Sequence, residues 1–183
     1  IVVVPYTSII EQNAAVYREV LEPENVIEHH SALDEDARSE ESSELELRRR
    51  LAAENWDAPV IVTTAVQFFE TMFANEPSRC RKLHNVARSI VIIDEAQTLP
   101  TDFLSCLLDG MQQLVDHYGC TLVLSTATQP ALQRREMLPQ GLTGIREIVR
   151  DVSGLGDVLR RVTVRWPDGG ITTSLDDLAR ELS

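Results

Sequence analysis

Lysine is almost missing from this chain of 183 residues: Lys82 stands alone against sixteen arginines. Leu83 follows it and no glycine stands just before it, so the 183 residues contain no phosphate loop of the G-x-x-x-x-G-K-[ST] kind. Cysteine is scarce as well. Cys80, Cys106 and Cys120 are odd in number and form no C-x-x-C pair, which argues against a disulfide framework and against a zinc cluster. Long apolar runs are absent: Ile1–Val4 and Ile90–Ile93 reach four residues, against the roughly 20 of a spanning helix. No charged n-region, apolar h-region and cleavage site opens the chain, so no secretory signal is expected. These absences predict a reduced, cytoplasmic protein with no membrane partner, built as one α/β domain or one domain with a short appendage.

The composition that remains suits a packed core, with 43% apolar and 25% charged residues. That apolar fraction excludes disorder of the whole chain. The net charge of −12 is unevenly spread: Asp34 to Glu46 holds seven acids and one arginine, half of the total. Such a run reads as a solvated loop or helix face, so the charge weighs little against a nucleic-acid surface elsewhere. The chain begins at Ile1, inside an apolar run, and reads as a fragment of something longer.

Short β-branched runs alternate with helical patterns, which predicts a mainly parallel sheet with helices on its faces. The candidate strands are Ile1–Val4, Val26–Glu28, Val60–Val62, Ser89–Ile93 and Thr121–Leu124. Apolar residues at helical spacing predict helices over Ser8–Leu21 and along Leu104, Leu107, Leu108, Met111, Leu114, Val115 and Tyr118, with Thr101 as N-cap of the latter. Cys106 falls inside that stripe and is expected in the core. Ser42–Trp56 and Ala65–Ala74 are shorter helix candidates. Arg161–Thr173 reads as a hairpin about Pro167-Asp168-Gly169-Gly170, and Ser174 with Asp177 caps a last helix. Residues 1–140 are thus expected to form one lobe, and 141–183 its end and a linker.

Chemistry is most sharply suggested by Ile90-Val91-Ile92-Ile93-Asp94-Glu95-Ala96-Gln97. A buried strand ends there in two carboxylates, and in open parallel sheets the carboxyl edge is where ligands bind. A nucleoside triphosphatase needs one acid there for Mg²⁺, usually through water, and another to orient or deprotonate the attacking water. Asp94 and Glu95 could supply the two. The alternative is structural: Asp94 caps the next helix and Glu95 is a solvated first-turn acid.

Asp94-Glu95-Ala96-Gln97 resembles motif II of superfamily 2 helicases, the D-E-A-D/H box, with Gln in the fourth place. Thr126-Ala127-Thr128, behind another apolar strand, resembles motif III (S/T-A-T). Pro5 to Gln12 has the Pro-to-Gln spacing of motif Ia, and Val62-Thr63-Thr64 falls where Ib or Ic would. Pro5-Tyr6-Thr7-Ser8-Ile9-Ile10-Glu11-Gln12-Asn13, His30-Ser31, Gln67-Phe68-Phe69-Glu70, Pro77 to Asn85, Asp94 to Pro100 and Thr126 to Leu132 together resemble the CRISPR-associated helicase-nuclease (Cas three) family of type I interference. The resemblance runs from Ile1 to about Leu132.

It implies a RecA-like α/β fold of the P-loop NTPase superfamily: the first helicase lobe, incomplete on its N-terminal side. It further implies ATP and Mg²⁺ as cofactors, single-stranded DNA as the track, and recruitment by an RNA-guided surveillance complex in a prokaryotic cytoplasm. A second lobe and an HD nuclease domain would belong to the same full-length protein, which degrades foreign DNA in antiviral defence. Carried over, Asp94 holds Mg²⁺ through water and Glu95 handles the attacking water. Gln97 with Thr126, Ala127 and Thr128 couples the nucleotide site to the DNA track, and Thr7, Ser8 and Thr64 touch its phosphates. Hydroxyls and helix N-termini do bind phosphate without reading sequence; the alternative is helix capping, which weighs equally with DNA contact for Ser8 and less than DNA contact for Thr64.

The sequence departs from the family in lacking the phosphate loop and an H-D pair, since Asp116 precedes His117. The 183 residues alone are therefore expected to be inactive. Two other readings remain, a different superfamily 2 DNA or RNA helicase and a non-catalytic interaction module. Of the residues outside these motifs, His29 and His30 read as strand-end histidines. Phe68, Phe69 and Phe73 read as core, and Arg79, Arg81, Lys82, His84 and Arg88 as a basic face open to solvent or DNA.

Overall fold

The protein is described here by a computed structural model covering residues 1–30, 51–127, 131–149 and 151–162. It divides into two compact units, Ile1–Ile145 and Arg146–Ser183.

The first unit is built on five parallel strands: β1 (Val2–Val4), β2 (Val26–His29), β3 (Val60–Thr64), β4 (Ile90–Ile93) and β5 (Thr121–Leu124), in the order β2-β3-β1-β4-β5. Between them run α1 (Ile10–Leu21), α2 (Ala65–Phe73), the short α3 (Pro77–Cys80) and α4 (Leu83–Val86), and α5 (Leu104–Tyr118). Residues 51–55 are also helical. This is the RecA-like α/β architecture, and its strands read as apolar runs because they are covered on both faces.

Alternation along β1 assigns the two faces. Val2 and Val4 pack with Val26, Val62 and the α1 residues Ile10 and Ala14. Val3 faces the other way, into a larger core with Val91, Ile93, Phe68 of α2, and Leu107, Leu108 and Met111 of α5. Helices therefore cover both faces. The chain first runs from β1 outward to β2 and β3, then returns past β1 to β4 and β5. The order reverses between β1 and β4, and the crevice at the carboxyl ends of those strands is the topological switch point where such sheets bind ligands.

Several side chains differ from the sequence reading. Cys106, Val115 and Tyr118 are exposed, because Leu107, Leu108, Met111 and Leu114 already occupy the narrow stripe of α5 that meets the sheet. Thr101 is not an N-cap: it lies in a 3₁₀ turn, Thr101–Phe103, that leads into α5. Phe68 and Phe69 are core, whereas Phe73, at the end of α2, is 48% exposed. Lys82 does not belong to a solvent-facing basic cluster. It is 8% exposed, with Nζ 3.2 Å from Nε2 of the buried His29 and 5.6 Å from the centre of the Trp56 ring. Arg81, His84 and Arg88 are exposed.

In the second unit, α6 (Val152–Val158) is capped by Asp151, whose Oδ1 accepts from the Gly154 N–H at 2.8 Å. The acidic Asp34–Glu46 run, most of the Ser42–Trp56 helix candidate, Thr128, and the hairpin and final helix expected beyond residue 162 lie outside the described residues.

Candidate active site at the carboxyl edge of the sheet

β1, β3, β4 and β5 end side by side, and each end carries one of the sequence motifs. Val4 pairs with Thr64, and Val3 pairs with both Thr63 and Ile93, so the segments after β1, β3 and β4 leave the sheet at one level. The Asp94 N–H donates to Val3 O (2.8 Å) and the Ser125 N–H to Ile93 O (2.9 Å). These bonds carry the ladder one residue past the strands and fix where the carboxylates begin.

The backbone turns sharply at Glu95, which adopts the left-handed conformation (φ 49°, ψ 48°). A non-glycine residue there costs about 1–2 kcal/mol, so the surroundings must hold it. Four bonds do so. The Glu95 N–H donates to Asp94 Oδ1 (3.0 Å) and the Ala96 N–H to Ser125 O (2.9 Å). Glu95 O accepts from the N–H and from the hydroxyl of Thr98, both at 2.8 Å. Thr98 was not singled out by sequence; a threonine three residues after an acid is the only signal, a hydroxyl able to bond back to the carbonyl three residues earlier.

This turn brings Gln97 between the ends of β4 and β5. Its amide NH₂ donates to the Glu95 carboxylate, and its amide oxygen accepts from the Thr126 hydroxyl. One neutral side chain thus joins the acid after β4 to the hydroxyl after β5, using its donor and its acceptor ends together. Ala127 follows, exposed. Asp94 and Glu95 are half-buried. Asp94 caps no helix; its side-chain bond goes to the next residue.

On the other side of the switch point, Thr7 and Ser8 are exposed in a 3₁₀ turn, Thr7–Ile9, that leads into α1. Neither that turn nor α1 has a side-chain cap, so Ser8 is not spent on capping. Thr64 differs. It is the N-cap of α2, its Oγ1 accepting from the Gln67 N–H at 3.1 Å, and it is 6% exposed.

The donor set can be matched against the groups that the motifs imply. Hard carboxylate oxygens suit Mg²⁺, which is usually held by one or two carboxylates together with waters and substrate phosphates. Asp94 fits that role; among the described residues no cluster of three or more His, Cys, Asp or Glu could hold a metal by itself. For the nucleotide, the 183 residues offer no glycine-rich loop with lysine to cradle its phosphates. No helix of the described residues is long and apolar enough to cross a membrane.

Residues 1–136 match the DEAD/DEAH box helicase family. The chain is also similar to the CRISPR-associated nuclease/helicase Cas3 of Haloferax volcanii, with 29% identity over 146 residues. That alignment covers 71% of this chain and 15% of the relative, so the chain spans a small part of the protein it resembles. With the family match extending over well over half of its length, from β1 through the motif after β5, the chain belongs to the DEAD/DEAH box helicases.

Proposed function

We propose that this chain is part of the first motor lobe of an ATP-driven, single-strand DNA translocase that serves type I CRISPR interference in a prokaryotic cytoplasm. The bridge from Glu95 through Gln97 to Thr126 carries this reading. A motor needs the state of its hydrolytic acid to be felt at a neighbouring strand end, and a doubly bonded amide on a braced turn does that. The likeness to the Haloferax volcanii relative supports the CRISPR assignment.

Asp94 would hold Mg²⁺, which would supply charge neutralisation at the phosphates. Glu95 accepts the proton of the attacking water or orients it. Thr7 and Ser8 donate hydroxyl or backbone hydrogens to phosphate oxygens of the track. The Thr64 hydroxyl keeps its own proton for a phosphate while its oxygen caps α2, so the two roles coexist. Thr128 works beside Thr126 and Ala127 in the coupling segment. The phosphate loop, a second lobe and an HD nuclease lie in other parts of the full-length protein, and an RNA-guided surveillance complex delivers the DNA.

In the full-length protein, Glu95→Gln is expected to lower DNA-stimulated ATP turnover by roughly 10²–10⁴-fold, the usual worth of a general base. A loss below about threefold would show that another group handles the water. Residues 1–183 prepared alone are expected to hydrolyse no ATP above a Glu95→Gln control, and DNA-stimulated hydrolysis by that piece would overturn the assignment of phosphate binding to other parts of the protein.

A further inference from the structure

Tyr6 stands at the switch point without a structural task for its ring. It lies two residues beyond Val4, which is 1% exposed, with Pro5 between them, yet is itself 61% exposed. The ring contacts of the described residues lie elsewhere, in the His29, Trp56, Phe68 and Phe69 cluster. Of the other exposed aromatics, Phe73 and Tyr118 end α2 and α5, at the opposite edge of the sheet. Phe103 is the last residue of the 3₁₀ turn that leads into α5, outside any phosphate-binding motif.

The Tyr6 backbone is preset. It is extended (φ −132°, ψ 144°), it leaves the central strand, and its carbonyl accepts from the Ile9 N–H at 3.4 Å. Thr7 and Ser8 follow it immediately, and Thr64 ends the neighbouring strand, opposite Val4. A base hangs one sugar away from its phosphate, so an aromatic ring beside phosphate contacts is within reach of a base.

We propose that Tyr6 is a stacking platform for one base of the single-stranded nucleic acid whose phosphates lie on Thr7, Ser8 and Thr64; this rests on the reading that the translocated strand follows this edge. Electrostatics favours it. The strand on one side of β1 ends in the hydroxyl of Thr64 and the strand on the other side runs into the carboxylates Asp94 and Glu95, in a chain of net charge −12. Attraction to phosphate supplies little affinity at such an edge, whereas stacking on a ring is independent of charge and tolerant of sequence. A tyrosine ring also loses little conformational entropy when it is covered, having two side-chain torsions.

The test uses the full-length protein without nucleotide and measures fluorescence anisotropy with a dye-labelled oligodeoxynucleotide, an abasic strand of equal length, and the RNA of the same sequence. Tyr6→Ala is expected to weaken binding to the ordinary strand by roughly 5- to 100-fold, the range of one lost base stack. On the abasic strand it should change binding by less than about twofold, and the salt dependence should stay the same. Tyr6→Phe and the far-edge variant Tyr118→Ala should both bind like the unaltered protein. An unchanged affinity in Tyr6→Ala overturns the proposal while leaving the phosphate track intact, as does an equal loss on the abasic strand. A loss in Tyr6→Phe as large as in Tyr6→Ala assigns the phenol to a phosphate instead, and also overturns stacking. If the unaltered protein binds neither DNA nor RNA strands, the reading beneath the proposal falls with it. Should it bind both, the DNA and RNA arms show which strand gains from the ring.

Discussion

At the scale of single residues, the junction of β4 and β5 depends on Gln97 having both polarities. An aspartate in its place would offer oxygen to Thr126 and a second charge to Glu95; the amide satisfies both partners and stays neutral at every pH. Both bonds pass through one side chain, so removing either partner disables the same bridge. Gln97→Ala and Thr126→Ala in the full-length protein are therefore expected to lower DNA stimulation of ATP hydrolysis to a similar extent. The double variant should match the stronger single one to within about 0.5 kcal/mol in activation free energy, the signature of residues acting as a unit. Fully additive losses would mean that Gln97 and Thr126 act independently. Phe68 offers a purely structural contrast: it is fully buried, its ring parallel to Trp56 at 6.3 Å and edge-on to Phe69 at 5.3 Å. Phe68→Ala should cost about 3–5 kcal/mol in denaturant unfolding without a specific effect on coupling.

At the scale of elements, Thr64 ends β3 and begins α2 with no residue between them, so one hydroxyl sets the geometry of the strand-to-helix turn. Thr64→Ala should lower stability by about 1 kcal/mol, and Thr64→Ser should restore most of it; equal stabilities of all three would mean that the cap contributes nothing. The five strands were legible in the sequence because doubly covered parallel strands appear as apolar runs between turn residues, and α1, α2 and α5 because their apolar positions repeat at helical spacing. β3 and β2 run slightly further than expected, through Thr64 and His29, since polar residues at a carboxyl edge still join the ladder. The motif residues were legible as the first polar residues after those runs. What bound them together was not. The Gln97 bridge requires the left-handed turn at Glu95, and no local preference announces a glutamate there. Burial of Lys82 depends on His29, 53 residues earlier in the chain, a distance over which periodicity carries no information. Cys106 was misplaced for a related reason: spacing shows that a helix has an apolar face, whereas the sheet decides how much of that face is used.

For the molecule as a whole, the sheet has a stable middle and two different margins. β1 and β3 each have two hydrogen-bonded neighbours, as does β4, while β2 and β5 have one among the described residues. In β5 the Thr121 and Ser125 N–H groups donate to Ser89 O (3.0 Å) and Ile93 O (2.9 Å), so the intervening Leu122 and Leu124 direct their N–H groups away from β4. Their side chains are only half-buried, in contrast with Val91 and Ile93 on the next strand, which are 0% and 1% exposed. Native-state hydrogen exchange should reflect this directly. In residues 1–183 studied alone, Val3, Val62, Val91 and Ile93 should exchange only through global unfolding, and Leu122 and Leu124 much faster, through local opening. The same amides followed in the full-length protein then report on the margin of the sheet. Slow exchange at Leu122 and Leu124 there, with fast exchange in the isolated 183 residues, would mean that a further strand docks on β5 and completes the motor lobe. Fast exchange in both would mean that β5 is a true edge, and the stability of the site would rest on the bonds already seen between β1, β4 and β5.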